Sequence, residues 1–113
     1  MSTDELVDLF AKNGIEQYSV LRNHEVSKFR KIFDVMAEIY AELKERGPQA
    51  LLALTKLYDY PNVQVQVQAA LLTVEVSPDG ARPVLEAIAK TRRMPQAANA
   101  RSKLQSHYGL DWD

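Results

Sequence analysis

Between Phe29 and Leu43 the apolar residues Phe29, Ile32, Phe33, Met36, Ile39, Tyr40 and Leu43 recur at spacings of three and four. That period lays one continuous stripe along a helix. The positions between them, among them Lys28, Arg30, Lys31, Asp34, Glu38, Glu42, Lys44 and Glu45, form a solvated face. A helix striped in this way has to bury its apolar side against another layer, and no second strand-like run exists in the chain to make that layer a sheet. Leu6, Val7, Phe10, Ala11, Ile15, Tyr18 and Leu21 repeat the same spacing. They predict a first helix to about Arg22, with Thr3 and Asp4 as its start signal and Gly14 tolerated inside it at ~1 kcal/mol.

Asn23 reads as the cap of the second helix and Gly47 as its left-handed stop, with Pro48 opening a third helix that reaches Tyr58. Leu51, Leu52, Leu54 and Leu57 face inward in it. Asp59-Tyr60-Pro61-Asn62 is a turn, and Asn62 can cap the next segment. Val63-Gln64-Val65-Gln66-Val67-Gln68 then alternates strictly, the mark of a half-buried strand. Against that reading, Val63, Val67, Ala70, Leu71 and Val74 make an unbroken helical stripe, and a lone strand would have no partner. The segment is therefore expected to be helical. A fifth helix is expected from Ala81 to Thr91 with Pro83 in its first turn, and a sixth from Pro95 to His107, stopped by Gly109.

Shifting the chain by about 34 residues aligns Leu51 with Leu85, Ala53 with Ala87, Leu54 with Ile88, Lys56 with Lys90, Pro61 with Pro95 and Ala70 with Leu104. That period suits a helical-hairpin repeat whose units cover one another. The segments Gly47–Leu52, Tyr60–Val65, Ala69–Leu72 and Ser77–Glu86 resemble a HEAT-like repeat. Together with Leu6-Val7, Gln17, Lys28–Phe33 and Trp112, they make the chain similar to the DUF2019 family of small bacterial proteins. The resemblance implies an all-α, right-handed α-α superhelix of HEAT/ARM type: about six helices in three antiparallel hairpins (1–46, 47–76 and 77–108) and then a tail, 109–113. It carries over no catalytic residue. Where HEAT-type repeats often place an arginine after the valine that opens the second helix, this chain has Gln66.

Fourteen Lys and Arg against fifteen Asp and Glu give a net charge of −1, which argues against a protein built to coat nucleic acid or anionic lipid. No cysteine is present, so thiol catalysis, thiolate metal sites and disulfides are excluded. No apolar run is long enough to span a membrane, and the acidic start lacks a signal pattern, so a cytoplasmic protein is expected. His24 and His107 stand at helix ends without carboxylates at ligand spacing, and the four glycines are isolated stops. No catalytic residue, metal or cofactor is assigned.

The expectation is a non-catalytic module that uses a concave groove or one end to hold another protein or a second copy of itself. Candidate contacts are Tyr58 and Tyr60 beside the turn, Gln64 and Gln68 on one helical face, Arg92, Arg93 and Arg101 in the basic last third, and Trp112. Nucleic-acid binding through the face from Arg82 to Lys103 is the alternative reading, and an enzyme with an unrecognised acid–base site is the remote one.

Overall fold

The alternating segment Val63–Gln68 is helical. The computed structural model describes residues 1–111 and contains α1 (Thr3–Arg22), α2 (Val26–Glu45), α3 (Pro48–Leu52, continuing as a 3-10 turn over Ala53–Leu57), α4 (Val63–Thr73), α5 (Pro78–Ala89) and α6 (Gln96–Tyr108), with no strand among the described residues. α2 folds back on α1, and α6 on α5. α4 lies between the pairs, packed against α1 and the 3-10 turn on one side and against α5 and α6 on the other.

The position of α4 explains its odd sequence. Successive residues on a helix are about 100° apart, so residues two apart point to nearly opposite sides. Val65 and Ala69 join the apolar cluster built by Leu6, Phe10, Met36, Leu43 and Leu54. Val63, Val67, Ala70 and Val74 join a second cluster with Leu85, Ile88, Ala100 and Leu104. One helix thus supplies both clusters, and a period-two pattern results from a helix walled on two sides, not from a sheet. Three pairs of the 34-residue register, Leu51/Leu85, Leu54/Ile88 and Ala70/Leu104, are buried, whereas Ala53/Ala87, Lys56/Lys90 and Pro61/Pro95 are not.

Between its two apolar sides α4 carries Gln64, only 1% exposed. Its Nε2 donates to Gln17 Oε1 of α1 at 2.7 Å, and its Oε1 accepts from Gln96 Nε2 of α6, also at 2.7 Å. Three buried glutamines therefore form a chain across three helices. Gln17 Nε2 at one end is buried without a partner among the described residues. Gln66 donates from Nε2 to the Tyr58 carbonyl at 3.0 Å, so a neutral hydrogen bond stands where a repeat arginine would have made an ion pair. Tyr58 in turn meets Thr73 Oγ1 through its hydroxyl at 2.6 Å.

Gly14 is not merely tolerated. A Cβ there would lie 2.7 Å from Val65 Cγ2 and 3.4 Å from Val65 Cα, so glycine is what lets α1 approach α4 and brings Gln17 within reach of Gln64.

Helix ends differ in detail from the sequence expectation. The cap of α1 is Ser2, not Thr3 or Asp4: Ser2 Oγ accepts from the Glu5 N–H at 3.1 Å and Glu5 Oε1 accepts from the Ser2 N–H at 2.9 Å, a reciprocal box. The Ser2 backbone N–H, and after it the Ser2 hydroxyl, holds the Glu5 carboxyl below its usual pKa. Asn23 closes α1 instead of opening α2, whose N-terminus has no side-chain cap, and His24 adopts a left-handed φ of 58° in the link. Asn62 caps α4 as expected, Oδ1 accepting from Gln64 N at 2.9 Å and Val65 N at 3.2 Å. Gly47 (φ 109°) and Gly109 (φ 67°) take the positive φ values that glycine allows.

The third helix tightens into 3-10 form after Leu52, where Thr55 Oγ1 donates to the Leu52 carbonyl at 2.7 Å. α5 begins at Pro78, three residues before the expected start, which moves Pro83 from the first turn into the helix interior and removes one intrahelical donor.

Candidate interaction surface

The spacing along α2 predicts an inward Phe33, but the residue is 50% exposed, and Val26 at the start of the same helix is 70% exposed. The stripe on α2 is wider than its neighbours can cover. Ile32, Met36, Ile39 and Leu43 take the buried side, so residues one flank further round, Val26, Phe29, Phe33, Ala37 and Tyr40, are left along the rim of the core. Phe29 and Tyr40 are half-buried; Ala37 is exposed. Two apolar clefts border this rim. One, of about 260 Å³, is lined by Val20, Leu21, Val26 and Phe29 near the start of α2. The other, of about 160 Å³, lies between α2 and α4 and is lined by Phe33, Met36, Tyr40, Gln68 and Leu72. Exposed aromatic residues beside apolar clefts are the raw material of a protein contact.

The charges around the rim are ordered. Lys28, Arg30 and Lys31 fill the first half of α2, while Asp34, Glu38, Glu42 and Glu45 fill the second, with Lys44 the exception. Lys28 is held by Glu25 at 2.6 Å, and that hydrogen bond raises its pKa; Arg46 holds Glu42 at 3.0 Å. Arg30, Lys31, Asp34 and Glu38 are exposed and make no ion pair among the described residues.

A second surface adjoins the cleft at the start of α2, with which it shares Leu21 and His24. Three adjoining clefts of about 430, 510 and 340 Å³ share Arg93, Asn62, Tyr18 and Arg22 among their walls. Arg22 stacks over the Tyr18 ring at 5.9 Å. No Asp or Glu lines any of the three, so the basin carries uncompensated positive charge.

The residues singled out in the sequence are dispersed. Gln68 lines the α2–α4 cleft, and Tyr60 and Arg93 share a wall of the basin with Gln66. Gln64 is corrected from a surface position to an interior one, because both ends of its amide are occupied by Gln17 and Gln96. Tyr58 is half-buried and bonded to Thr73. Arg101 donates from Nε to the Ala89 carbonyl at 2.9 Å and so closes the end of α5. Arg92 is exposed, and Trp112 lies outside the described residues. The basic last third is no single cationic face: Arg82 pairs with Glu86 at 3.3 Å and stacks on Tyr108 at 5.8 Å.

Two features escape a reading of the sequence. The outward turn of Phe33 has a signal in the excess width of the α2 stripe; the pairing of Arg22 with Arg93 has none, as they stand 71 residues apart. Among the described residues no three His, Asp or Glu gather as a metal ion would need, and no helix is long and apolar enough to cross a membrane.

The family model of DUF2019, a domain of unknown function, matches residues 4–107. The crystal structure of protein RPA1889 from Rhodopseudomonas palustris CGA009 superposes with a TM-score of 0.92 at 43% identity, covering 100% of this chain and 93% of that one. No curated protein matches the sequence.

Proposed function

The chain belongs to the DUF2019 family, a domain of unknown function, and we propose that it is a non-catalytic protein-interaction module that holds another protein chain against the rim of α2. Its three hairpins are read as successive turns of a short right-handed superhelix of HEAT/ARM type, a reading supported by the three buried apolar pairs of the 34-residue register. The observation that carries the interaction role is Phe33: a half-exposed phenylalanine, flanked by Val26, Phe29 and Tyr40 and by two apolar clefts, on a helix whose apolar stripe is wider than its neighbours cover. Covering such a side chain is worth about 25 cal/mol per Å² of apolar surface removed from water.

Placing a photo-crosslinking amino acid at Phe33, in the cells that make the protein, tests this. Protein adducts are expected at position 33 and not at a control position such as Lys12. Adducts absent at 33 would overturn the reading.

A second reading, phosphate-bearing ligands such as nucleic acid, is favoured by the carboxylate-free basin around Arg22 and Arg93. It requires salt-sensitive oligonucleotide binding that is lost in Arg22→Gln/Arg93→Gln; binding unaffected by that pair removes it.

A further inference from the structure

The rim of α2 has an internal symmetry. Val26, Phe29, Phe33, Ala37 and Tyr40 are separated by three, four, four and three residues, a spacing that reads the same from either end, with Phe33 at its centre. Two such stripes laid antiparallel place Phe33 against its own counterpart, Phe29 against Ala37 and Val26 against Tyr40, over about 21 Å of helix at 1.5 Å per residue. Spacings of three and four are also those with which two helices interlock side chains along a shared seam.

The charges obey the same symmetry and point to the same partner. A helix favours acids near its N-terminus and bases near its C-terminus. α2 has no acid in its first turn, with Lys28, Arg30 and Lys31 early and Asp34, Glu38, Glu42 and Glu45 late. This order is unfavourable within the helix itself. Beside an identical helix running the other way it becomes favourable, because each basic half meets an acidic half. A two-fold axis through Phe33 and perpendicular to α2 sets like flank against like flank. Arg30 then faces Asp34 of the second copy, and both are exposed and without an ion pair among the described residues.

We propose that two copies of this chain associate through α2, packed antiparallel about a two-fold axis at Phe33. This rests on the reading of the α2 rim as an interaction surface and names its occupant. The interface is small and of the weak class, in which association depends on protein concentration. Its charged flank sets orientation and excludes the parallel arrangement, in which like charges would be juxtaposed.

Sedimentation across a concentration series, with charge-reversal variants, tests the pairing. Wild type is expected to shift from monomer to dimer as concentration rises, and Phe33→Glu to stay monomeric. Arg30→Glu alone and Asp34→Arg alone should each weaken self-association at least tenfold, since each sets like charges across both halves of the seam. An equimolar mixture of these two single variants should form a heterodimer of near wild-type strength, because Glu at 30 in one chain then meets Arg at 34 of the other in one half of the seam, while Asp34 and Arg30 keep their wild-type contact in the other half. Both positions are exposed, and unchanged helical circular dichroism verifies that each variant folds. A wild type that stays monomeric up to millimolar concentration, or a mixture that associates no better than its components, would overturn the two-fold pairing. Crosslinks from position 33 to a different protein, with monomeric behaviour in solution, would sink the self-pairing while upholding the interaction role; an absence of any crosslink would sink both.

Discussion

Gln64→Met probes the glutamine chain that ties α1, α4 and α6 together. Methionine keeps nearly the same volume and removes the amide, so cavity formation is a minor part of the effect. Two buried contacts at 2.7 Å disappear, stranding Gln17 Oε1 and Gln96 Nε2. Each stranded buried group costs about 1–3 kcal/mol, for a total of roughly 2–6 kcal/mol. Gln96 borders the 510 Å³ cleft and can turn its amide toward water, which places the expected loss in the lower half, about 2–4 kcal/mol. In a domain of this size each kcal/mol lowers Tm by about 4 °C, so the midpoint should fall by roughly 8–16 °C.

Urea unfolding monitored at 222 nm, with an unchanged slope against denaturant, would read the loss directly. The triple variant Gln17→Met/Gln64→Met/Gln96→Met should recover most of it, because no polar group is then left stranded, not even Gln17 Nε2, which already lacks a partner among the described residues. A Gln64→Met protein as stable as wild type, or a triple variant less stable than the single one, would refute the argument that these contacts hold the three helices in register.

Gly14→Ala is expected to destabilise by about 1–2 kcal/mol despite alanine's better helix propensity, since its Cβ would meet Val65 Cγ2 at 2.7 Å. In a Val65→Ala background that penalty should largely vanish, and a double-mutant cycle by denaturant unfolding measures the coupling. Asn62→Ala should cost about 1 kcal/mol through loss of the two N–H contacts at the start of α4, read by the same unfolding curves. Ser2→Ala should return the Glu5 carboxyl only part of the way toward its ordinary pKa, because the larger cause, the backbone N–H of residue 2, is kept; the partial shift is visible in an NMR titration. Because the folded-state pKa is lowered, the stabilisation from Glu5 is present above the usual carboxylate range and is lost as pH falls through the lowered value. The pH dependence of α1 fraying should weaken in that variant.

How legible each element is from the residues depends on how local its cause is. The spacing of Ile32, Met36, Ile39 and Leu43 declares a helix, Asn62 declares a cap and Gly109 a left-handed end, because each effect acts within a turn or two of chain. For Val63–Gln68 the deciding matter is partners, since a strand needs a second strand and the chain offers none. Gln17, Gln64 and Gln96 cannot be recognised as interior residues: glutamine is ordinarily exposed, and their pairing joins positions 47 and 32 residues apart. Phe33 misleads for a different reason. A period shows which side of a helix is apolar, but the fraction of that side covered depends on how many neighbours arrive, and α1, α3 and α4 leave the rim bare. The basic residues of the last third suggest one cationic face by their nearness in sequence, yet Arg101 and Arg82 are committed to a carbonyl, a carboxylate and a tyrosine ring.

Placing both apolar clusters on the flanks of α4 makes the molecule indivisible. A cut in the Asp59–Pro61 turn would leave the amino-terminal piece with an open wound where Val65 and Ala69 had closed it, and would hand the whole of α4 to the other piece with that flank bare. Neither fragment can heal alone, and mixing the two should restore the parent spectrum. Amide protons of α4 should exchange only when the entire protein opens, which makes this short central rod the slowest clock in the chain.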